Sequence, residues 1–205
     1  LPLFTVLFGT GCRIGEVIGL RWDDLDYENR EISINHAVIY RVMENGKAEF
    51  HVSTPKTKAG KRKIPMMEAV YQAFRDEYEA QKESGFNIEI CDGMSGFVFA
   101  NRNGGLHNPA NINRAIRRIY EAYNAEEIIK AKKEKRVPIL IPHFSCHHMR
   151  HTFCTRLCEV EENIKVAQDI MGHADVSTTL NIYAEASDTA KLQAVNNMQK
   201  IFDIF

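Results

Sequence analysis

Strand-forming sequence in this chain is confined to one short stretch, and that bounds the fold. Glu31-Ile-Ser-Ile-Asn-His-Ala-Val-Ile-Tyr40 is β-prone, and Glu44-Asn45-Gly46-Lys47 behind it is a turn signal. Two more short strands, at about 48–54 and 62–66, flank a Lys56–Lys61 turn, which predicts a small three-stranded antiparallel sheet. Nearly everything else reads as helix. Leu3, Phe4, Leu7 and Phe8 share a helical face that Gly9 and Gly11 terminate, and Ile14, Val17, Ile18 and Leu20 anchor a second short helix. Met67 to Glu83 is amphipathic through Val70, Phe74 and Tyr78, and Phe97 to Ala100 is a short buried segment. Pro109 opens a helix carrying Ile112, Ile116 and Ile119, followed at 123–137 by a charged, exposed excursion that could itself be helical.

The C-terminal third continues in helices. Ser145 is placed to cap a helix over 146–160 with Met149, Phe153, Leu157 and Val160 as its buried stripe. Asn163 caps the next helix, which stops at Gly172. Ser177 caps a short one reaching Tyr183, and Asp188 opens a last one to about Phe202. The fold class is α+β, mainly α-helical, in one domain over residues 1–205.

Composition narrows the setting. The chain has no apolar run of membrane-spanning length and no signal-peptide pattern. Its cysteines (Cys12, Cys91, Cys146, Cys154 and Cys158) form no pairing pattern, so a reduced, cytoplasmic protein is expected. Leu1 in place of a start methionine suggests a fragment whose N-terminal partner domains are absent. The net charge of −1 does not advertise nucleic-acid binding, yet Lys56, Lys58, Lys61, Arg62 and Lys63 crowd eight residues without an acid. Lys130 to Arg136 is a second basic run. Phosphate contacts depend on the local field, so a neutral total leaves a DNA face open.

Several residues suit phosphate chemistry. With Ser145 as N-cap, His147 and Arg150 lie on one side of a helix N-terminus whose free N–H groups already favour an anion. Arg150 can add a forked pair of hydrogen bonds. His173 follows the helix-ending Gly172, which turns the chain sharply, and Arg13 emerges at a helix entrance beside Glu16, a carboxylate suited to hold it. Tyr183 offers a phenol that nearby cations would push toward phenolate. Each has a plainer reading: a surface His and Arg, a capping histidine, a salt bridge, a solvated basic turn, one packing tyrosine among seven. A metal reading exists too, since His143, Cys146, His147, His148, His151, Cys154 and Cys158 crowd sixteen residues. Zinc sites draw ligands from separated segments, often with Cys-x2-Cys pairs that are absent here, so no metal is expected.

Jointly, Arg13, Lys56, His147-x-x-Arg150, His173 and Tyr183 make a specific series. The segments Thr10-Gly-Cys-Arg-Ile-Gly-Glu16, Cys146-His-His-Met-Arg-His-Thr-Phe-Cys154 and Met171-Gly-His-Ala-Asp-Val-Ser-Thr-Thr-Leu-Asn-Ile-Tyr183 resemble the boxes of the tyrosine recombinases, with a flavour of conjugative-transposon integrases. The resemblance covers nearly the whole chain. It implies the tyrosine-recombinase catalytic fold and site-specific DNA recombination, used in integrating and excising a mobile element without a cofactor. Tyr183 would form a 3′-phosphotyrosyl link, while Arg13, Arg150 and His173 hold the non-bridging oxygens. His147 would manage the phenol proton and Lys56, or else Lys58, would protonate the leaving 5′ oxygen. Lys58, Lys61 and Arg62 are expected on DNA. The implied partners are double-stranded DNA, other protomers in a tetramer and accessory excision factors, with 188–205 docking either on its own domain or in trans. Cys146 departs from the proline many relatives carry, and the 123–137 excursion is assigned no catalytic role. A type IB topoisomerase and a non-catalytic DNA-binding module are the competing readings.

Overall fold

The computed structural model describes residues 1–184 apart from Asn45, Lys56 and Glu162. The expected catalytic lysine at 56 and the expected helix from Asp188 therefore lie outside the described residues. Helix α1 (Pro2–Thr10) ends at Gly11, whose φ of 61° is left-handed, and α2 (Ile14–Gly19) follows at once. A single 3-10 turn (Trp22–Asp24) leads into strands β1 (Leu25–Asp26), β2 (Glu31–Ile34), β3 (Ala37–Val42), β4 (Ala48–Ser53) and β5 (Arg62–Pro65). Four helices come next: α3 (Glu68–Ser84), α4 (Pro109–Glu134), α5 (Cys146–Val160) and α6 (Ile164–Met171). Residues 176–184 form a further helical segment, α7.

The α+β, mainly helical class holds, but the sheet is organised differently from the sequence expectation. The predicted strand over 31–40 breaks at Asn35-His36. Its first half joins an antiparallel sheet in the order β1-β2-β5, with Ile32 opposite Ile64, while its second half pairs only with β4. The break is made by polar anchors: His36 Nε2 lies 2.7 Å from the Gly19 carbonyl, and Asn35 Nδ2 donates to Asp24 Oδ1 at 2.9 Å. The alternation of buried residues (Ile32, Ile34, His36, Val38) nevertheless runs straight through it, which is why the pattern reads as one strand.

Two other expectations are corrected. The 123–137 stretch is largely the continuation of α4, a single helix of 26 residues capped by the Asn108 side chain. Glu127 is buried there, held by Arg136 and by the Ile139 N–H at 2.9 Å. The inward line of α5 is Cys146, Met149, Arg150, Cys154 and Cys158, while Val160 is 81% exposed. Small buried cysteines pack as apolar groups, and four-residue spacing puts three of them on the same face as Arg150. Further on, Asp175 rather than Ser177 caps the entry to α7, accepting from the Ser177 N–H at 2.8 Å. The main core joins α1, α2, the sheet, α3 and the start of α5. A smaller cluster of Cys154, Cys158, Ala167 and Met171 ties α5 to α6. Among the described residues no helix is long and apolar enough to cross a membrane.

Candidate active site

The site is built around the C-terminal end of α6. A helix leaves its last carbonyls without intrahelical partners, and its dipole makes that end attractive to cations. Here three successive carbonyls each accept from a different arginine. Arg62 Nε donates to Ile170 at 2.7 Å, Arg150 Nη2 to Met171 at 2.7 Å, and Arg13 Nη2 to Gly172 at 3.3 Å. Gly172 must be glycine: its φ is +63°, and a Cβ there would lie 2.8 Å from Arg62 Nη1 and 3.0 Å from the Ala59 carbonyl.

One buried carboxylate balances this group. Glu16 accepts from Arg13 Nη1 at 2.9 Å and from the Arg13 backbone N–H at 2.8 Å. It also takes a fork from Arg62, with Nη2 at 2.9 Å and Nη1 at 3.1 Å. Burial works against its charge, but the hydrogen bonds and field of Arg62, then Arg13, prevail and hold its pKa below the ordinary carboxylate value. Among the described residues Arg150 pairs with no carboxylate. It is buried, with Nη1 on the Gly11 carbonyl at 2.7 Å, and burial followed by the field of Arg13 lowers its pKa to about 10. At neutral pH three guanidinium charges thus face one carboxylate, and an anion is what such a site lacks.

His173 leaves Gly172 into the same space. Gln168 accepts the His173 N–H at 3.2 Å and donates from its side chain to the His173 carbonyl at 2.9 Å, while Nδ1 lies 3.0 Å from Thr179 Oγ1. Burial first, then the fields of Arg150, Arg13 and Arg62, push the imidazole pKa down to about 4. It is neutral at pH 7 and can offer one N–H donor without adding charge.

A cavity of about 290 Å³ opens between α5 and α7, lined in part by His147, Arg150, His151, His173 and Asn181. His147 is exposed on its rim, whereas His148 is turned back onto the Ser145 cap, with Nδ1 2.9 Å from Oγ. A neighbouring cavity of about 530 Å³ is lined by Arg13, Glu16, Pro55, Thr57, Gly60 and Gly172 among others, so the residues bracketing position 56 face the same space as Arg13. Tyr183 is partly buried beside Phe153, Leu157 and Ile182, against Cys154, Cys158, Ala167 and Met171. Arg13, Glu16, Arg150 and His173 are thus brought together, His147 stands at the edge, and Tyr183, two residues beyond the cavity-lining Asn181, packs against the α5–α6 cluster instead.

The basic turn divides. Lys61 is exposed, and Lys58 lies in a 3-10 turn (Lys58–Gly60). Arg62, expected on DNA, is instead 5% exposed at its side chain and committed to Glu16 and Ile170. Its signal was in the sequence: it shares the inward face of β5 with Ile64. Sequence reasoning also missed Gln168 and Thr179, and an exposed arginine face on α4, Arg114, Arg117 and Arg118. That face adjoins the start of α5, where Asn113 Oδ1 accepts from the Cys146 N–H at 3.0 Å. Among the described residues no three His, Cys, Asp or Glu side chains gather to hold a metal ion, and all five cysteines are buried thiols.

Comparison with known proteins places this geometry. The profile of the phage integrase family matches residues 2–190. The transposase from transposon Tn916 of Enterococcus faecalis is 37% identical over 195 residues, covering 95% of this chain and 44% of the relative. The XerC-like tyrosine recombinase of Caldanaerobacter subterraneus subsp. tengcongensis is 26% identical over 207 residues, covering 98% and 49%. The Tn1549 transposon integrase, solved in complex with a circular intermediate DNA, matches with a TM-score of 0.78 at 34% identity, covering 96% of this chain and 57% of that one. The crystal structure of XerA recombinase shares the fold, with a TM-score of 0.64 at 22% identity over 97% of this chain and 57% of that one. This chain spans about half the length of the relatives it matches. At this identity and coverage, the chain belongs to the phage integrase family, the tyrosine recombinases.

Proposed function

We propose that this chain is the catalytic domain of a site-specific DNA recombinase that cuts and rejoins strands through Tyr183. The observation that carries the reading is the gathering of Arg13, Arg150 and neutral His173 around the end of α6, on two neighbouring cavities with a net demand for an anion. In the first step the Tyr183 oxygen bonds to the scissile phosphorus and the bond to the 5′ oxygen breaks. The phenol proton passes to His147, and the departing oxygen takes a proton from Lys56 or Lys58. Arg13, Arg150 and the His173 N–H hold the non-bridging oxygens, where charge builds. Tyr183 reaches the phosphate by turning out of its packing against Cys154 and Met171. A 5′ hydroxyl of a second strand then reverses the reaction, so one phosphoester replaces another.

Double-stranded DNA is the proposed substrate, held through Lys58, Lys61 and the arginine face of α4. The Tn1549 integrase complexes with circular intermediate and transposon right end DNA support that partner. Four protomers on DNA, with 188–205 docking in trans, complete the assembly. Its role is integration and excision of a mobile element inside the cell, assisted by accessory excision factors. The test is a nicked suicide duplex spanning the element's own junction. Wild type should trap a covalent protein–DNA complex that Tyr183→Phe cannot form; an adduct that persists in Tyr183→Phe, or none in wild type, rejects the reading.

A further inference from the structure

We propose that Arg62 is a positioning residue for phosphodiester cleavage and not a DNA contact. It holds the Arg13–Glu16 pair, the end of α6 and the lysine-bearing turn in one frame. The proposal rests on the recombinase reading above. A guanidinium has five N–H donors, and all five are committed inside the protein. Nε is on Ile170, Nη1 on Glu16 and, at 3.4 Å, on the Gly60 carbonyl; Nη2 is on Glu16 and, at 3.8 Å, on Cys12 Sγ. No donor remains for a phosphate. Among the described residues, Arg13 and Arg150 each hydrogen-bond through two side-chain N–H groups, which leaves donors for a ligand.

What Arg62 touches explains what it does. Glu16 accepts from Arg62 and Arg13 together, so Arg62 takes up part of a carboxylate that would otherwise draw the Arg13 guanidinium into a closed pair. Its bond to Gly60 anchors the turn that begins at Thr54. Its bond to Ile170 fixes the helix end from which Gly172 and His173 depart. Cleavage needs these three pieces in register, and misplacement by about 1 Å can cost ~100-fold in rate. A lysine at this position keeps the charge but cannot fork onto Glu16 while reaching Ile170 and Gly60.

The experiment uses the suicide duplex, with Arg62→Lys, Glu16→Gln and the double variant. Arg62→Lys should slow single-turnover covalent-complex formation by ~100-fold. Duplex affinity should stay within about twofold of wild type and the salt slope should not change, because a phosphate contact would instead cost about one unit of slope. In the Glu16→Gln background, Arg62→Lys should add less than about threefold, since both changes remove the same link. Near-normal cleavage by Arg62→Lys, or a loss explained by weaker, less salt-dependent binding, would overturn the proposal. A wild-type measurement guards against a variant that does not fold. On adding duplex, the Nε–H resonances of Arg13 and Arg150 should move while that of Arg62 stays put, and an equal movement of Arg62 rejects the idea. Absence of any wild-type adduct counts against the recombinase reading, while the resonance comparison still judges Arg62.

Discussion

Acidification should cost this fold stability through His173. The ring is 7% exposed and its pKa is pushed down to about 4, by burial first and then by Arg150, Arg13 and Arg62. In the unfolded chain it titrates near 6.5. Between those values the unfolded chain takes up a proton that the folded chain refuses, so stability falls as pH drops through that window. At about 1.4 kcal/mol per pH unit the whole interval amounts to ~3 kcal/mol, and roughly 2.5 kcal/mol is already lost at about pH 4.5. Carboxylates also titrate there, so the assay is a comparison of urea-unfolding free energies at neutral and mildly acidic pH for wild type and His173→Gln. Glutamine has no proton to gain and keeps a polar group beside Thr179. Wild type should lose ~2 kcal/mol more than the variant on acidification. Equal losses would refute the claim that burial, aided by the arginine cluster, keeps this imidazole neutral. Saturating the site with a phosphate-bearing duplex should shrink the difference, because a bound anion offsets the field on the ring.

Other expectations follow from the same contacts. Gly172→Ala should destabilise by ~1–3 kcal/mol in thermal unfolding and slow cleavage, since the new methyl meets Arg62 in a left-handed backbone. Cys146→Pro should change stability by less than ~1 kcal/mol, because proline suits the first helical position while the bond to Asn113 is lost; chemical denaturation reads this directly. Tyr183→Phe should leave the melting temperature within a few degrees, since the ring and its packing are kept, while removing all covalent adduct on gels.

Local signals carried much of the fold. Pro109 opens α4 and Asn163 caps α6 as expected, and Gly11 and Gly172 terminate helices with left-handed φ. The break at Asn35-His36 was hidden because His36 occupies an inward slot of an unbroken alternation, and only its long-range bond to Gly19 reveals the change of sheet. The face of α5 was misjudged because large apolar residues outweighed cysteines, although the cysteines and Arg150 sit deepest. In the candidate site, the residue types and order were legible. Arg62 was not, since a basic run suggests solvent until the strand register turns one member inward.

The row of carbonyls at Ile170, Met171 and Gly172 also ties together parts of the chain that are far apart in sequence. Their partners come from positions 62, 150 and 13, on β5, α5 and the entrance to α2, so the row is complete only when distant parts of the chain have docked. The alignment of Arg13 and Arg150 is therefore a property of the assembled domain and of no local segment, so loosening β5, α5 or the start of α2 should be felt at the same three carbonyls.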